Sequence, residues 1–210
     1  MNNPLLFVAF DFFVIAAAQS ALLLLITAPT YVFVVVAYAR KLETFGLPDL
    51  VFSRAAFFFI IIEYFADQQQ WNFQSAKKEY QKTARIPEPY KDLYTPEDLE
   101  RGFVVSGLWS WSRHPNFVAE QAIWVTLYLW CAYRTGIYLQ WTVLGAVGYL
   151  LLFQASTRIT EYISASRYPE YGEYQARVGR FIPRWSVEAK KTKRSSKKPV
   201  VEKPKAKKIN

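Results

Sequence analysis

The chain has 210 residues, 52% of them hydrophobic and 18% aromatic, and a formal net charge of +9. The segment from Arg184 to the end carries 11 Lys and Arg residues and 2 acids, so it accounts for the whole excess charge. The charges of the remaining residues are balanced, which argues against a nucleic-acid partner. A single cysteine excludes an intrachain disulfide, and with a single histidine it also excludes a zinc site built from several thiolates or imidazoles.

The first apolar run, near residues 5–39, exceeds the roughly 20 residues that a helix needs to cross a bilayer. It predicts either one long tilted helix kinked near Pro29 or two helices that turn there. We favour one helix, because a turn at this point would lack polar loop residues. A second span is predicted near 50–66, and the polar sequence after it is typical of a helix that continues out of the membrane.

Two further spans are predicted near 117–133 and 138–157. A tight turn at residues 134–136 would join them as an antiparallel hairpin. After this hairpin, Pro169 can occupy the first turn of a C-terminal helix. One face of that helix would carry Tyr171, Tyr174, Val178 and Phe181, and a second stripe would carry Arg177, Arg180 and Arg184.

These elements predict an all-α polytopic membrane helical bundle with about four transmembrane helices, or five if the first run forms two, followed by a cytosolic C-terminal helix. We assign residues 1–185 to the membrane-embedded domain and residues 186–210 to a disordered basic tail. A basic tail favours the cytosol. The ending KKIN places Lys207 and Lys208 where a dilysine retrieval signal has them. We therefore expect a multi-pass protein of the endoplasmic reticulum membrane, and we expect coat proteins to recognise its tail.

The sequence GLWSWSRHPNFVAEQ leads into the third span. Pro115 suits the first turn of a helix, whose free amides, together with the charge of Arg113, would form an anion site. Asn116 and Glu120 are four residues apart and lie on one helix face. The alternative is that Arg113 extends to lipid headgroups and that Glu120 pairs with a neighbouring arginine.

Two other acids lie in or next to apolar runs. Glu63 is deep in the second run, and an intramembrane acid is a functional hypothesis by default. Glu161, near Arg158 at the end of the last span, can form either a structural ion pair or a cofactor contact.

The segment GLWSWSRHPNFVAEQAIW resembles the signature region of the steroid 5-alpha-reductase-like membrane proteins, in particular their fungal DUF1295 group. The segments FFIIIEYFADQQQWNFQSAKK and RYPEYGEYQARVGRFIP support this resemblance. An Arg-His-Pro-aromatic sequence and a tyrosine-rich ending also make the chain similar, more distantly, to isoprenylcysteine carboxyl methyltransferases, which use S-adenosylmethionine.

The resemblance implies a membrane oxidoreductase acting on CH–CH bonds, with NADPH in a cytosol-facing cavity and a lipid or sterol-like substrate from the bilayer. Glu63 and Tyr168 are the expected catalytic residues, as proton donors, and no metal is expected. The family's acid and tyrosine on the N-terminal helices have no assignable counterpart here. The expected cofactor-binding residues are Trp109, Arg113, His114, Asn116, Glu120, Glu161, Tyr171, Tyr174, Arg177 and Arg180.

Two other functions remain open at this point. One is an S-adenosylmethionine-dependent membrane methyltransferase. The other is a non-enzymatic membrane protein that retains the fold.

Overall fold

A computed structural model describes residues 4–42 and 45–184. Within these residues the protein is all-α, with no strand, which confirms the predicted class. The basic tail 186–210, including Lys207 and Lys208, lies outside the described residues. The α-helices are α1 (Pro4–Phe10), α2 (Ala18–Arg40), α3 (Leu47–Thr83), α4 (Pro96–Arg101), α5 (Pro115–Thr135), α6 (Val143–Arg167) and α7 (Tyr171–Arg177).

The first apolar run forms one uninterrupted helical segment. A π-helical stretch, Asp11–Ala17, joins α1 to α2, and Pro29 lies inside α2. The prediction of one helix is therefore confirmed, whereas the π-helical stretch was not predicted. Pro29 has no backbone N–H, so the carbonyl of Leu25 loses its intrahelical partner.

Helix α3 runs for 37 residues and is about 55 Å long at 1.5 Å per residue. This is longer than the roughly 30 Å hydrocarbon layer of a bilayer. The predicted span at 50–66 and its helical continuation are thus parts of one rod. Its first turn contains Pro48, and the Asp49 carboxylate accepts a hydrogen bond from the Gly46 backbone N–H at 2.8 Å.

Helices α5 and α6 form the expected antiparallel hairpin. Phe117 packs edge-on against Phe153 at one end, and the Tyr128 hydroxyl donates to the carbonyl of Tyr138 at the other. The predicted tight turn at 134–136 is wrong, because α5 continues to Thr135 and the connection extends over 136–142. The aromatic residues of this connection form turns rather than the start of α6.

Helix α5 is central and packs against α2, α3 and α6, and α2 also packs against α6. Among the described residues, two helical segments are long and apolar enough to cross a membrane, Leu6–Arg40 and Val143–Arg167. Most of their side chains face outward, and Leu24 and Leu151 are examples. The arrangement with four spans stays a prediction.

Candidate functional site

The loop before α5 is fastened to α3. Gly107 adopts a positive φ of 62°, and a Cβ there would lie 2.6 Å from Oε1 of Gln69. That oxygen accepts a hydrogen bond from the backbone N–H of Leu108 at 3.0 Å. The buried indole of Trp109 donates to the carbonyl of Ala66 at 3.1 Å. Both acceptors belong to α3, one on a side chain and one on the backbone, so these bonds fix the position of the loop along that helix.

The same loop is also fastened to the C-terminal segment. The hydroxyl of Tyr174 donates to the carbonyl of Trp109 at 2.5 Å. The backbone N–H of Arg113 donates to the carbonyl of Gly179 at 3.0 Å, and the Ser112 hydroxyl donates to the carbonyl of Arg180 at 3.0 Å. The loop before α5 and the segment around α7 therefore meet, as the sequence predicts.

A buried ion cluster surrounds Glu161, whose side chain is 4% exposed. Arg113 donates from Nε and Nη2 to its two carboxylate oxygens at 2.7 and 3.1 Å. Arg180 and Gln175 each donate to Oε2 at 3.2 Å, and Nε2 of His114 lies 3.1 Å from Oε1. A carboxylate accepts about four hydrogen bonds. Glu161 thus forms a structural ion pair with Arg113, and its oxygens have little capacity left for a cofactor.

Arg113 is equally committed, because its Nη1 also donates to the backbone carbonyls of Gln175 and Val178. Burial lowers the pKa of His114 below its ordinary value and outweighs the nearby Glu161 carboxylate. The imidazole is therefore neutral near pH 7, and its contact with a carboxylate places the proton on Nε2. Direct cofactor binding by Arg113, His114 and Glu161 stays a prediction.

A cavity of about 230 Å³ lies where α3, α5, α6 and the segment around α7 converge. We call it the central cavity; its lining includes Gln70, Trp109, His114, Asn116, Tyr171 and Tyr174. Burial raises the pKa of Tyr171 to about 12 and also raises that of Tyr174, so both phenols keep their protons. The cavity wall thus presents uncharged hydrogen-bonding groups on an aromatic frame, next to the guanidinium of Arg113.

Gln70 is the wall residue that needs an explanation. Its side-chain oxygen is buried and has no hydrogen-bond partner among the residues that the structure describes. Leaving a buried acceptor unsatisfied costs about 1–3 kcal/mol. A ligand that donates a hydrogen bond inside the central cavity would offset this cost.

A second polar cluster lies one helical turn further along α5. Glu120 accepts hydrogen bonds from the Tyr149 hydroxyl at 2.6 Å and from the Trp124 indole at 2.8 Å. Glu63 of α3 is a neighbour of Glu120. We call these four residues the acid–tyrosine cluster.

The structure brings together most, but not all, of the predicted site. Asn116 lines the central cavity and also donates to Asp67 of α3 at 2.9 Å. Tyr168 lies elsewhere: its hydroxyl accepts from Nζ of Lys77 at 3.0 Å. Lys77 is 14 residues beyond Glu63 on α3, about 20 Å along the helix axis. The two expected catalytic residues are therefore not neighbours.

The C-terminal helix is shorter than predicted. Pro169 precedes it, and α7 ends at Arg177, so Phe181 and Arg180 do not continue its faces. The chain leaves the helix at Val178 because the backbone there turns to meet the loop before α5. Arg177 is exposed and lines a surface groove of about 340 Å³, the α7 groove, together with Ser110, Trp111, Pro183 and Arg184.

Sequence reasoning missed Tyr149 and misplaced Arg184. Tyr149 lies in an apolar span, where a tyrosine with no acid near it in sequence gives no signal. Arg184 was predicted on the face of a helix rather than in a groove beside Arg177. Among the described residues, no group of three or more His, Cys, Asp or Glu side chains is arranged to hold a metal ion.

The fold and site define an all-α protein with a polar cavity at one end of an apolar helical bundle. A family model described as "Protein of unknown function (DUF1295)" matches residues 2–178, so the chain belongs to this family, the steroid 5-alpha-reductase-like group. The uncharacterized protein C594.04c of Schizosaccharomyces pombe is 40% identical over 175 residues, which are 83% of this chain and 49% of that protein. The chain thus spans about half the length of this curated relative. No solved structure matches this chain.

Proposed function

We propose that this protein is an NAD(P)H-dependent reductase of a carbon–carbon double bond in a lipid or sterol-like molecule. In this proposal four helices span the endoplasmic reticulum membrane, and the central cavity and the C-terminus face the cytosol. The observation that carries the proposal is Gln70, which lines the central cavity and whose buried side-chain oxygen has no hydrogen-bond partner among the described residues. Membership of a family of steroid 5-alpha-reductase-like proteins supports it.

The central cavity suits the nicotinamide end of the cofactor. A primary carboxamide has two N–H donors, and one of them would satisfy Gln70. The cavity volume of about 230 Å³ is below the 300–1,000 Å³ typical of pockets that enclose a whole ligand. A dinucleotide would therefore insert one ring and extend over the surface, where Arg177 and Arg184 of the α7 groove can hold the adenosine-side phosphate of NADPH.

Reduction of a double bond needs a hydride on one carbon and a proton on the other. The cofactor would supply the hydride. We assign the proton to the acid–tyrosine cluster, because Glu63 is a neighbour of Glu120 and the Tyr149 hydroxyl donates to Glu120 at 2.6 Å. This keeps Glu63 in its predicted role and moves the tyrosine's role from Tyr168 to Tyr149.

The substrate can reach this cluster from the lipid side. A groove of about 400 Å³ between α2 and α6 is lined by Gln19, Leu22, Tyr149 and Phe153. All of these except Gln19 and Tyr149 are purely apolar, which suits a hydrocarbon skeleton with few polar atoms. Tyr149 is the residue that belongs both to this groove and to the acid–tyrosine cluster.

The Gln70→Leu variant tests the proposal, because it separates binding from folding. We expect its affinity for NADPH to fall about tenfold, which is the loss of one hydrogen bond to a ligand, roughly 1.4 kcal/mol. Its thermal stability without ligand should not fall, because the substitution removes an unsatisfied buried oxygen. Gln68→Leu is the matched control: Gln68 is exposed on the same helix and bonds only to Asn72 in the described structure.

Three outcomes of titrations with NADPH and S-adenosylmethionine would decide against the proposal. If Gln70→Leu and the unaltered protein bind NADPH equally, the central cavity does not hold the nicotinamide. If only S-adenosylmethionine binds, the protein is a methyltransferase. If neither binds, the chain is a membrane protein that retains the fold without the activity.

A further inference from the structure

A second cavity lies toward the other end of α5. We call it the distal cavity; it has a volume of about 390 Å³ between α2, α3 and α5, and Phe33, Leu127, Trp130, Cys131, Asp49 and Arg134 line it. Trp130 is 14 residues beyond Asn116 on α5, about 20 Å from the central cavity along the helix axis. The distal cavity is therefore separate from the proposed cofactor site.

The wall of this cavity is apolar except at Thr30 and where Asp49 and Arg134 meet. Asp49 is 3% exposed and accepts hydrogen bonds from the Trp130 indole at 2.7 Å and from Nη1 of Arg134 at 3.1 Å. With the additional bond from Gly46, this carboxylate is satisfied. Its role is to fix the rings and the guanidinium that shape the cavity, so an apolar occupant meets a preformed wall.

A second guanidinium lies beside this network. Arg40, at the end of α2, is exposed and donates from Nη1 to the carbonyl of Thr135 at 2.9 Å. A guanidinium has five N–H donors, so Arg40 retains capacity for an anion. A positive charge, that of Arg40, therefore lies next to an apolar cavity.

We propose that the distal cavity binds one acyl chain of an anionic phospholipid, whose phosphate lies against Arg40. Two observations select this occupant. An apolar cavity between helices suits a hydrocarbon chain, because burial removes its CH₂ groups from water. A guanidinium binds a phosphate group through charge-assisted hydrogen bonds. The proposal does not depend on the reductase activity.

The test is competition between two lipids on the delipidated full-length protein in detergent. Phosphatidylglycerol and phosphatidylcholine with identical acyl chains are added in equal amounts, and the bound lipid is counted by native mass spectrometry. We expect about one phosphatidylglycerol per protein, preferred roughly tenfold, which corresponds to one charge-assisted contact.

Three variants locate the lipid. Arg40→Gln should remove the preference for phosphatidylglycerol, whereas Arg54→Gln, at an exposed arginine of α3 that does not line the cavity, should keep it. Leu127→Trp fills the cavity and should abolish binding of both lipids. Thermal unfolding confirms that each variant is folded.

The proposal is overturned if the unaltered protein binds both lipids equally. It is also overturned if folded Leu127→Trp binds as much phosphatidylglycerol as the unaltered protein does, since the lipid would then lie outside the cavity. A failure of NADPH to bind would leave these measurements unaffected, so the two proposals fail separately.

Discussion

Arg113 and Glu161 are 48 residues apart in the sequence and form a buried ion pair with two hydrogen bonds, from Nε and Nη2. Because Arg113 also donates to the carbonyls of Gln175 and Val178, the pair connects α6, the loop before α5 and the C-terminal end of α7. These are the segments that enclose the central cavity. The shape of the cavity therefore depends on this contact.

Breaking the pair should destabilise the protein strongly. Removing one partner of a buried ion pair leaves an uncompensated charge and costs about 3–5 kcal/mol. We expect Arg113→Ala to lower the free energy of unfolding by this amount, measured by thermal or denaturant unfolding in detergent. The matched control is Glu170→Gln, which removes the exposed partner of Arg101 and should have little effect. Equal stabilities for the two variants would contradict this account of the cluster.

Stability should fall as the pH drops below about 6.5, the ordinary pKa of histidine. Burial lowers the pKa of His114 in the folded state, so at acidic pH the unfolded chain binds a proton that the folded protein binds less readily. The contribution of this group is fully present above the unfolded pKa and is lost on acidification.

His114 is the single histidine of the chain, so His114→Gln isolates this effect. The variant should lose less stability than the unaltered protein between pH 7 and pH 5. A steeper loss in the variant would show that His114 is charged in the folded state.

The crossing of α2 and α6 should be intolerant of a side chain at Gly145. A Cβ there would lie 2.3 Å from the carbonyl oxygen of Leu25, the group that Pro29 leaves without an intrahelical partner. Overpacking of this kind costs about 1–3 kcal/mol. We therefore expect Gly145→Ala to lower the unfolding temperature. Gly148→Ala should be tolerated, because the nearest atom there is the flexible end of Leu22. Similar effects of both substitutions would show that the two helices do not approach closely at Gly145.

The sequence predicts the long helices because apolar runs and polar interruptions determine them directly. It misplaces the start of α6, because Tyr138 and Leu139 look like span residues but lie in the turn. It also overextends the C-terminal helix, whose end at Arg177 depends on hydrogen bonds with a loop more than 60 residues away. Local patterns carry no information about such a partner.

The site was predicted unevenly for the same reason. Arg113, His114 and Asn116 stand out in sequence because they precede an apolar helix. Their partners do not: Glu161 was assigned to Arg158 or a cofactor, and the structure pairs it with Arg113. The contact of Tyr149 with Glu120 crosses between α6 and α5, so only the packing of the hairpin reveals it.

Arg177 should distinguish NADPH from NADH. Its guanidinium is exposed in the α7 groove next to Arg184, where an additional phosphate group would be held by charge-assisted hydrogen bonds. We expect Arg177→Ala to weaken NADPH binding about tenfold and NADH binding much less. Arg85→Ala, at an exposed arginine outside both the central cavity and the α7 groove, serves as the control. Equal weakening of both cofactors would place the phosphate elsewhere.

The most direct test of the central claim is calorimetric titration of the purified full-length protein, in detergent, with NADPH and separately with S-adenosylmethionine. The account predicts saturable binding of NADPH at one site per chain and no binding of S-adenosylmethionine. Binding of S-adenosylmethionine alone, or of neither compound by folded protein, would contradict it.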